Sequence, residues 1–298
     1  MYDIAIIGSG PAGMTAGIYA KRAGLNAIIF ERAFSGGQMV YAHSLENFPG
    51  FKSISGIDLG MNMKEQLDGV EFKSVAITEV DFSKDVKVLK TKDEVYEAKA
   101  VIIATGAVSK HLGLTKEAKY LGKGISYCAT CDGAFYKDKP VVVVGGGNTA
   151  LEDALYLANF CKSVTLVHRR EEFRGDNITL EKVKQNHKIT IYTNKVLNDI
   201  FGESFIESVE IKDTISGDTK NIEASGVFIA IGYKPNTGFL NGAVLLNENG
   251  EILTDSNLKT SVSGVYAAGD VREKKLKQVV TACSDGAIAV DQIIGILN

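Results

Sequence analysis

The residues of this 298-residue chain best placed to do chemistry are two cysteines separated by two positions, Cys128 and Cys131, with Asp132 immediately after them. A CxxC pair serves either as a redox dithiol or as half of a metal site. A structural zinc needs two further ligands at regular spacing. The other cysteines, Cys161 and Cys283, are isolated, and His43, His111, His168 and His187 are scattered, so redox chemistry and no metal are expected. A thiolate is the species that attacks a disulfide, and a neighbouring carboxylate such as Asp132 is placed to shuttle its proton.

The elements around this pair are announced by glycine, in two clusters that match at a constant offset. Tyr2 to Ile7 reads as a buried strand, followed by Gly8-Ser9-Gly10-Pro11-Ala12-Gly13, a helix to about Ala23 closed by Gly24, and a strand, Ala27 to Phe30, ending on Glu31. Val141 to Val144 leads into Gly145-Gly146-Gly147-Asn148-Thr149-Ala150, a helix to about Phe160, and a strand, Val164 to Val167, ending at His168-Arg169-Arg170. Adding 137 carries Gly8 to Gly145, Gly10 to Gly147, Gly13 to Ala150 and Glu31 to His168. In such a unit the first glycine permits the tight turn, the second lets the backbone approach a pyrophosphate, and the third small residue lets helix lie close to sheet. The helix N-terminus then offers unpaired N–H groups to the phosphates. One GxGxxG is a weak signal. Each copy here follows a strand, opens a helix and precedes a charged strand end by 23 residues, which makes incidental glycine turns the weaker reading.

The two strand ends carry opposite charge. Glu31 can accept hydrogen bonds from ribose hydroxyls and would repel a 2′-phosphate, which suits FAD or NAD. Arg169 and Arg170, with Arg174 a helical turn beyond, match a phosphate in bidentate geometry, which suits NADPH. Two such contacts, each worth about 1.5–3 kcal/mol, favour NADPH over NADH by roughly a hundredfold or more. The competing reading is a solvated basic helix start balanced by Glu171 and Glu172. A dithiol beside a carboxylate, in a chain with two dinucleotide sites, argues for electron transfer between nicotinamide, flavin and disulfide.

The length implies two domains at about 150 residues each. Glycine, at 31 residues, stands above an average near 7%, but with only four prolines, 45% apolar and 23% charged residues the collagen-like and disordered classes are excluded. No uninterrupted apolar run approaches the roughly 18 residues of a membrane helix. A net charge of −3 gives no basic footprint for nucleic acid. The first strand-like run begins almost at Met1, leaving no room for a signal peptide, so a cytoplasmic protein with neither membrane nor nucleic-acid partner is expected.

Over essentially its whole length the chain resembles the low-molecular-weight bacterial thioredoxin reductases, NADPH-dependent flavoprotein disulfide reductases. The motifs are GSGPAG at 8–13, GGQM at 36–39, ENFPG at 46–50, ATG at 104–106, CATCDG at 128–133, GGGNTA at 145–150, HRREEFR at 168–174, GVYAAGD at 264–270 and KQVVTA at 277–282. The resemblance implies an α/β fold of two Rossmann-like, three-layer ββα-type dinucleotide-binding domains. The NADPH domain, residues 114–242 with the CxxC, would be inserted into a discontinuous FAD domain, residues 1–113 and 243–298. It also implies a homodimer acting on thioredoxin or a thioredoxin-like protein. By matching motif, Cys131 would form the flavin adduct, Cys128 would exchange with thioredoxin, and Asp132 would be the acid/base. FAD would be met by Gly8, Gly10, Gly13, Glu31, Gly37 and Gly106, its ribitol by Asp270, and its flavin and phosphates by Gln38, Asn47, Lys277 and Gln278. NADPH would be met by Gly145, Gly147, Asn148, Thr149 and His168, with Arg169, Arg170 and Arg174 on the 2′-phosphate. Lys277 departs from the usual arginine, losing its planar fork, and Cys283 stands where a small inert residue is usual. A small buried residue equivalent to alanine is the favoured reading of Cys283.

Because the CxxC and the nicotinamide site would share one domain while both must reach one flavin, that domain is expected to rotate, with hinges near His111-Leu112-Gly113-Leu114 and Thr237-Gly238-Phe239-Leu240. Elsewhere, Gly56 to Leu67, with Ile57, Leu59, Met61 and Met63, reads as a packing helix. Val70 to Val101 and Val196 to Val227 read as antiparallel meanders. Cys161 is expected to be structural, and Phe135 and Tyr136 to serve either a protein partner or the core. Three alternatives are weaker. A ferredoxin-dependent flavin thioredoxin reductase need not keep GGGNTA with HRREEFR. An alkyl hydroperoxide reductase flavoprotein would need additional N-terminal domains, for which 298 residues leave no length. A nucleotide-sensing module would have no use for the CxxC with Asp132.

Overall fold

The computed structural model describes residues 1–42 and 44–297. His43, one of the scattered histidines, and Asn298 lie outside the described residues. The chain divides into two compact units, Met1–Val108 with Lys234–Asn298, and Ser109–Tyr233.

The first unit opens with β1 (Tyr2–Ile7), α1 (Pro11–Arg22) and β2 (Ala27–Phe30). Side chains alternate across a strand. Accordingly Ile4, Ile6 and Ile29 enter one apolar cluster with α1, while Ala5, Ile7, Ile28 and Phe30 enter another on the opposite face. Burial on both faces is what a parallel sheet between two layers requires, and it explains the unbroken apolar runs. Pro11 starts α1 without losing a needed N–H, and Gly24, at φ 71°, turns the chain out of it. Ser55 caps α2 (Gly56–Glu65), its hydroxyl accepting from Asp58 N at 3.0 Å. On this helix Leu59 and Met63 are buried, but Ile57 and Met61 are exposed, so only half of the expected packing set packs.

Four strands follow: β3 (Glu71–Lys73), β4 (Glu79–Asp81), β5 (Lys87–Lys90) and β6 (Val95–Ile103). The expected meander holds for β4, β5 and β6, which pair antiparallel, whereas β3 adds parallel to β2. The chain leaves through β7 (Ala107–Ser109).

The inserted unit contains α3 (Glu117–Tyr120), β8 (Ile125–Ser126), α4 (Ala129–Asp132), β9 (Pro140–Gly145), α5 (Asn148–Ala158), β10 (Ser163–Val167), α6 (Asn177–Gln185) and β11 (Ile189–Tyr192). Next come β12 (Lys195–Phe201), β13 (Ser208–Asp213), β14 (Thr219–Glu223) and β15 (Gly226–Ala230), and the chain returns through β16 (Tyr233–Pro235). The second expected meander is right for β12, β13 and β14, while β15 leaves it to pair parallel with β9. The first unit is completed by β17 (Val265–Ala267) and α7 (Val279–Leu297).

The two parallel sheets have one plan. In the first the order is β3-β2-β1-β6, with β17 also on β6, and in the second it is β11-β10-β9-β15-β8. The repeat extends to register. Ile4 faces Ala27 and Ile7 faces Phe30, and adding 137 gives the observed partners Val141 with Val164 and Val144 with Val167.

By length and composition α7 could cross a membrane. It contains Asp285 and Asp291, and it buries Ala282, Gly286, Ala289, Val290 and Ile293 in its own unit, with α1 as its main neighbour. It is a core helix there.

Candidate active site

In the first unit the turn after β1 is shaped by what a side chain would strike. A Cβ on Gly8, at φ 104°, would lie 2.4 Å from Ala104 O, and one on Gly13 would lie 1.9 Å from Gly8 O. The helix therefore approaches the strand at backbone contact. Gly10 faces open space, with Gly37 Cα the one atom near its missing Cβ, at 4.0 Å. Gly37 itself has φ 58° and begins a 3-10 turn, Gly37–Tyr41, that carries Gln38. Glu31 is held rigidly: Ser9 N (2.8 Å) and Ser9 Oγ (3.0 Å) donate to Oε2, and Ala33 N (2.9 Å) donates to Oε1.

The other residues expected at this site lie in the same unit. Gly106, at φ 63°, follows β6, and its carbonyl accepts from Asn236 N at 3.0 Å. Asn47 Nδ2 donates to Gln278 Oε1 at 3.1 Å. Lys277 Nζ donates to Glu251 Oε1 at 2.5 Å and to Asp270 O at 3.2 Å. Asp270 Oδ1 is buried with no hydrogen-bond partner among the described residues. Burial raises the carboxyl above its ordinary range, with Lys274 and Lys277 opposing. A buried orphan oxygen wants a donor. A hydroxyl-rich, diphosphate-bearing group such as FAD would supply one, and the open space beside Gly10 at the start of α1 is where its phosphates would lie.

In the inserted unit a Cβ on Gly145 would lie 2.3 Å from Ala230 O, whereas one on Gly147 meets nothing within 4 Å. Asn148 and Thr149 open α5, and Asn148 Oδ1 accepts from Asp176 N at 2.7 Å. Arg174 N donates to Gly146 O at 2.8 Å, so the arginine segment is fastened to the glycine turn. Arg169, Arg170 and Arg174 are exposed. This donor set fits a phosphorylated ribose beside a pyrophosphate. His168 differs from the arginines. It is buried, its ring occupies the space beside Gly146, it contacts Phe173 at 4.8 Å between ring centroids, and its Nε2 lies 3.0 Å from Glu172 O. Burial lowers its pKa, the Glu172 carbonyl opposes, and the three arginine charges add to the lowering.

Cys128 and Cys131 are joined as a disulfide, with Cα atoms 5.3 Å apart, and both are half-buried. Cys128 precedes α4, and Cys131 N donates to its Sγ at 3.2 Å. Asp132 ends the same turn of helix. Burial raises its pKa, and a hydrogen bond from Ser126 opposes the rise. A carboxyl so placed holds its proton to higher pH than an ordinary aspartate, which suits proton exchange with thiols. Among the described residues no group of three or more His, Cys, Asp or Glu side chains could hold a metal.

Phe135 and Tyr136 take different roles. Phe135 is 44% exposed, whereas Tyr136 packs edge-on against Phe228. Cys161 is fully buried in the inserted unit's core, and burial pushes its thiol up to about 11. Cys283 is half-buried against the first unit's core, its thiol raised by burial with Thr15 opposing.

Two arrangements had no signal in the sequence. Ser126 donates to Asp132 Oδ2 at 2.7 Å. Glu117, buried, accepts from Leu112 N (3.1 Å), Gly113 N (2.8 Å) and Leu114 N (3.3 Å) and from Tyr127 Oη (2.5 Å). This carboxylate ties the expected hinge segment to the residue before Cys128. An isolated serine or glutamate in a polar stretch gives no pattern to read.

The profile of the family described as pyridine nucleotide-disulphide oxidoreductase matches residues 2–286. The thioredoxin reductase of Peptoclostridium acidaminophilum is 44% identical over 301 residues, covering 98% of this chain and 96% of that protein. The thioredoxin reductase of Bacillus subtilis (strain 168) is 43% identical over 296 residues, covering 98% and 94%. The crystal structure of thioredoxin reductase from Streptococcus pyogenes MGAS5005 superposes with a TM-score of 0.94 at 42% identity, covering 100% of this chain and 98% of that one. Matched along nearly all of its length by the profile and by these relatives, the chain belongs to the pyridine nucleotide-disulphide oxidoreductase family.

Proposed function

We propose that the protein is an NADPH-dependent thioredoxin reductase with FAD held by the first unit, residues 1–108 and 234–298, and NADPH by the inserted unit. The observation that carries this reading is the Cys128–Cys131 disulfide with Asp132, in a unit whose glycine turn is hydrogen-bonded to a segment bearing three exposed arginines. Bound FAD and NADPH would supply a hydride and pass two electrons to the disulfide.

The chain's own residues do the rest. Glu31, locked by Ser9 and Ala33, accepts from the adenosine ribose hydroxyls of FAD, and Asp270 accepts from a ribitol hydroxyl. Gly8 and Gly13 let strand and helix meet at backbone contact, Gly10, Gly37 and Gly106 leave the backbone open to FAD, and Gln38, Asn47, Lys277 and Gln278 lie around the flavin and its phosphates. Gly145, Gly147, Asn148 and Thr149 hold the NADPH pyrophosphate, Arg169, Arg170 and Arg174 hold the 2′-phosphate, and His168 lines the same turn. In the exchange step Cys128 Sγ attacks one sulfur of the thioredoxin disulfide, whose S–S bond breaks to release a thiolate. Cys131 Sγ then attacks Cys128 Sγ, re-forming the enzyme disulfide and releasing the second thiolate. The two protons of the dithiol end on thioredoxin, and Asp132 holds one of them between steps. Dithiol and nicotinamide site belong to one unit and must serve a single flavin in turn, so the reading includes rotation of the inserted unit. It also includes a cytoplasmic homodimer.

Anaerobic titration with NADPH and NADH separately tests the nucleotide assignment. NADPH is expected to bleach the flavin at roughly a hundredfold lower concentration than NADH. Equal potency would remove the role given to the arginines, and bleaching by neither would favour a ferredoxin-type donor.

A further inference from the structure

We propose that Ser126 is a positioning residue of the dithiol reaction, its hydroxyl fixing the Asp132 carboxylate and setting the pH at which that group exchanges a proton with the cysteines. The inference rests on the reading of Asp132 as acid/base.

Ser126 ends β8, one residue before Tyr127, and is 3% exposed. Its Oγ lies 2.7 Å from Asp132 Oδ2 and 3.2 Å from Cys128 O, and it accepts from Cys128 N at 3.0 Å. A hydroxyl has one proton to give and lone pairs to receive with. With Asp132 ionised, the proton goes to the nearer, charged oxygen, and Cys128 N fills the accepting side. With Asp132 protonated, the carboxyl can donate to Oγ, and the serine proton turns to Cys128 O. Both states of Asp132 thus keep their hydrogen bonds, without moving the backbone. A single side chain joins the peptide of the first cysteine to the carboxyl that follows the second.

The ionisable surroundings of Asp132 are few. Besides the cysteines they include Tyr136, whose phenol is pushed up to about 12 by burial and by the Asp132 charge and is therefore neutral near pH 7. On α5, which packs against α4, the acidic residues are Glu152 and Asp153, but the shift of Asp132 comes from burial, opposed by Ser126. Of the two bonds, the one Ser126 gives the ionised carboxylate at 2.7 Å is charge-assisted and stronger than the neutral one it shares with the protonated carboxyl, so Ser126 lowers the proton affinity of Asp132. Its loss moves that affinity upward.

The test uses holoenzyme reduced anaerobically with NADPH, in the parent, Ser126→Ala, Ser126→Thr and Asp132→Asn forms. The rate of oxidation by oxidised thioredoxin is measured across pH, together with alkylation of the two cysteines by iodoacetamide, read by mass spectrometry. In Ser126→Ala the acid limb of both profiles is expected to move up by about one pH unit, the scale of one hydrogen bond to a charged group. Ser126→Thr, which keeps the hydroxyl, is expected to restore the parental limb, and Asp132→Asn to abolish it, leaving only the separate limb of the thiols' own ionisation. A limb that stays in place in Ser126→Ala while Asp132→Asn abolishes it overturns the role of Ser126 and leaves Asp132 standing. A limb shifted equally by alanine and threonine also overturns it. A parental profile in Asp132→Asn overturns the acid/base reading, and the inference with it.

Discussion

Two aspartates of the inserted unit, Asp132 and Asp153, are pushed by burial toward keeping their protons. Asp132 sits beside the disulfide, where a shifted carboxyl is useful. Asp153 lies on α5, where burial, with the Glu152 charge adding, raises it to about 7. Its folded pKa thus exceeds the unfolded value near 3.9, and the folded state binds more protons. The associated stability is fully present below about pH 4 and is lost as pH rises through about 7. At ~1.36 kcal/mol per pKa unit the ceiling of this loss is about 4 kcal/mol. Asp153→Asn is expected to flatten the fall in stability between pH 5 and pH 8, measured by urea unfolding of the holoprotein. An undiminished fall would place the responsible group elsewhere. At this scale the sequence was readable where chemistry sits in adjacent residues, as in Cys128, Cys131 and Asp132. It was silent where one hydroxyl crosses from β8 to α4, because Ser126 in isolation looks like any serine.

Between elements, the glycine turns were the most legible feature, and the offset of 137 fixes even the strand register of the second unit from the first. The copies differ at the third small position. Gly13 has Gly8 O where a Cβ would stand, and its counterpart is Ala150. The ends of the two meanders were not legible. β3, Glu-Phe-Lys, has the short, mixed composition of an antiparallel strand and pairs parallel with β2, whereas β15, Gly-Val-Phe-Ile-Ala, is an unbroken apolar run that suits its parallel place beside β9 and that the meander reading passed over. The connections between units matter most to the proposed rotation. Gly106 O accepts Asn236 N within the first unit, Gly232 O accepts Lys110 N within the second, and Glu117 gathers the amides of residues 112–114. The units divide at 108/109 and 233/234, a few residues from the hinges expected at 111–114 and 237–240. Immobilising both crossings with engineered cross-links is expected to leave FAD content unchanged and to reduce steady-state turnover at least a hundredfold, because one half of the cycle is blocked. Unchanged turnover would rule rotation out.

The whole molecule contains two copies of one nucleotide-binding unit that differ in the charges at their second strand ends. A clamped carboxylate, Glu31, closes one cradle, and three arginines close the other. The inserted copy also carries the dithiol. In the proposed reaction electrons from NADPH reach thioredoxin only through Cys128 and Cys131. The most direct measurement is anaerobic reduction of the parent with two equivalents of NADPH, one for the flavin and one for the disulfide, and of Cys131→Ser with one, followed by addition of excess oxidised thioredoxin while flavin absorbance is recorded. Both proteins should bleach, and the parent should then recover its colour with release of four thioredoxin thiols per flavin, while the variant stays reduced. Recovery of the variant at the parental rate would contradict the account.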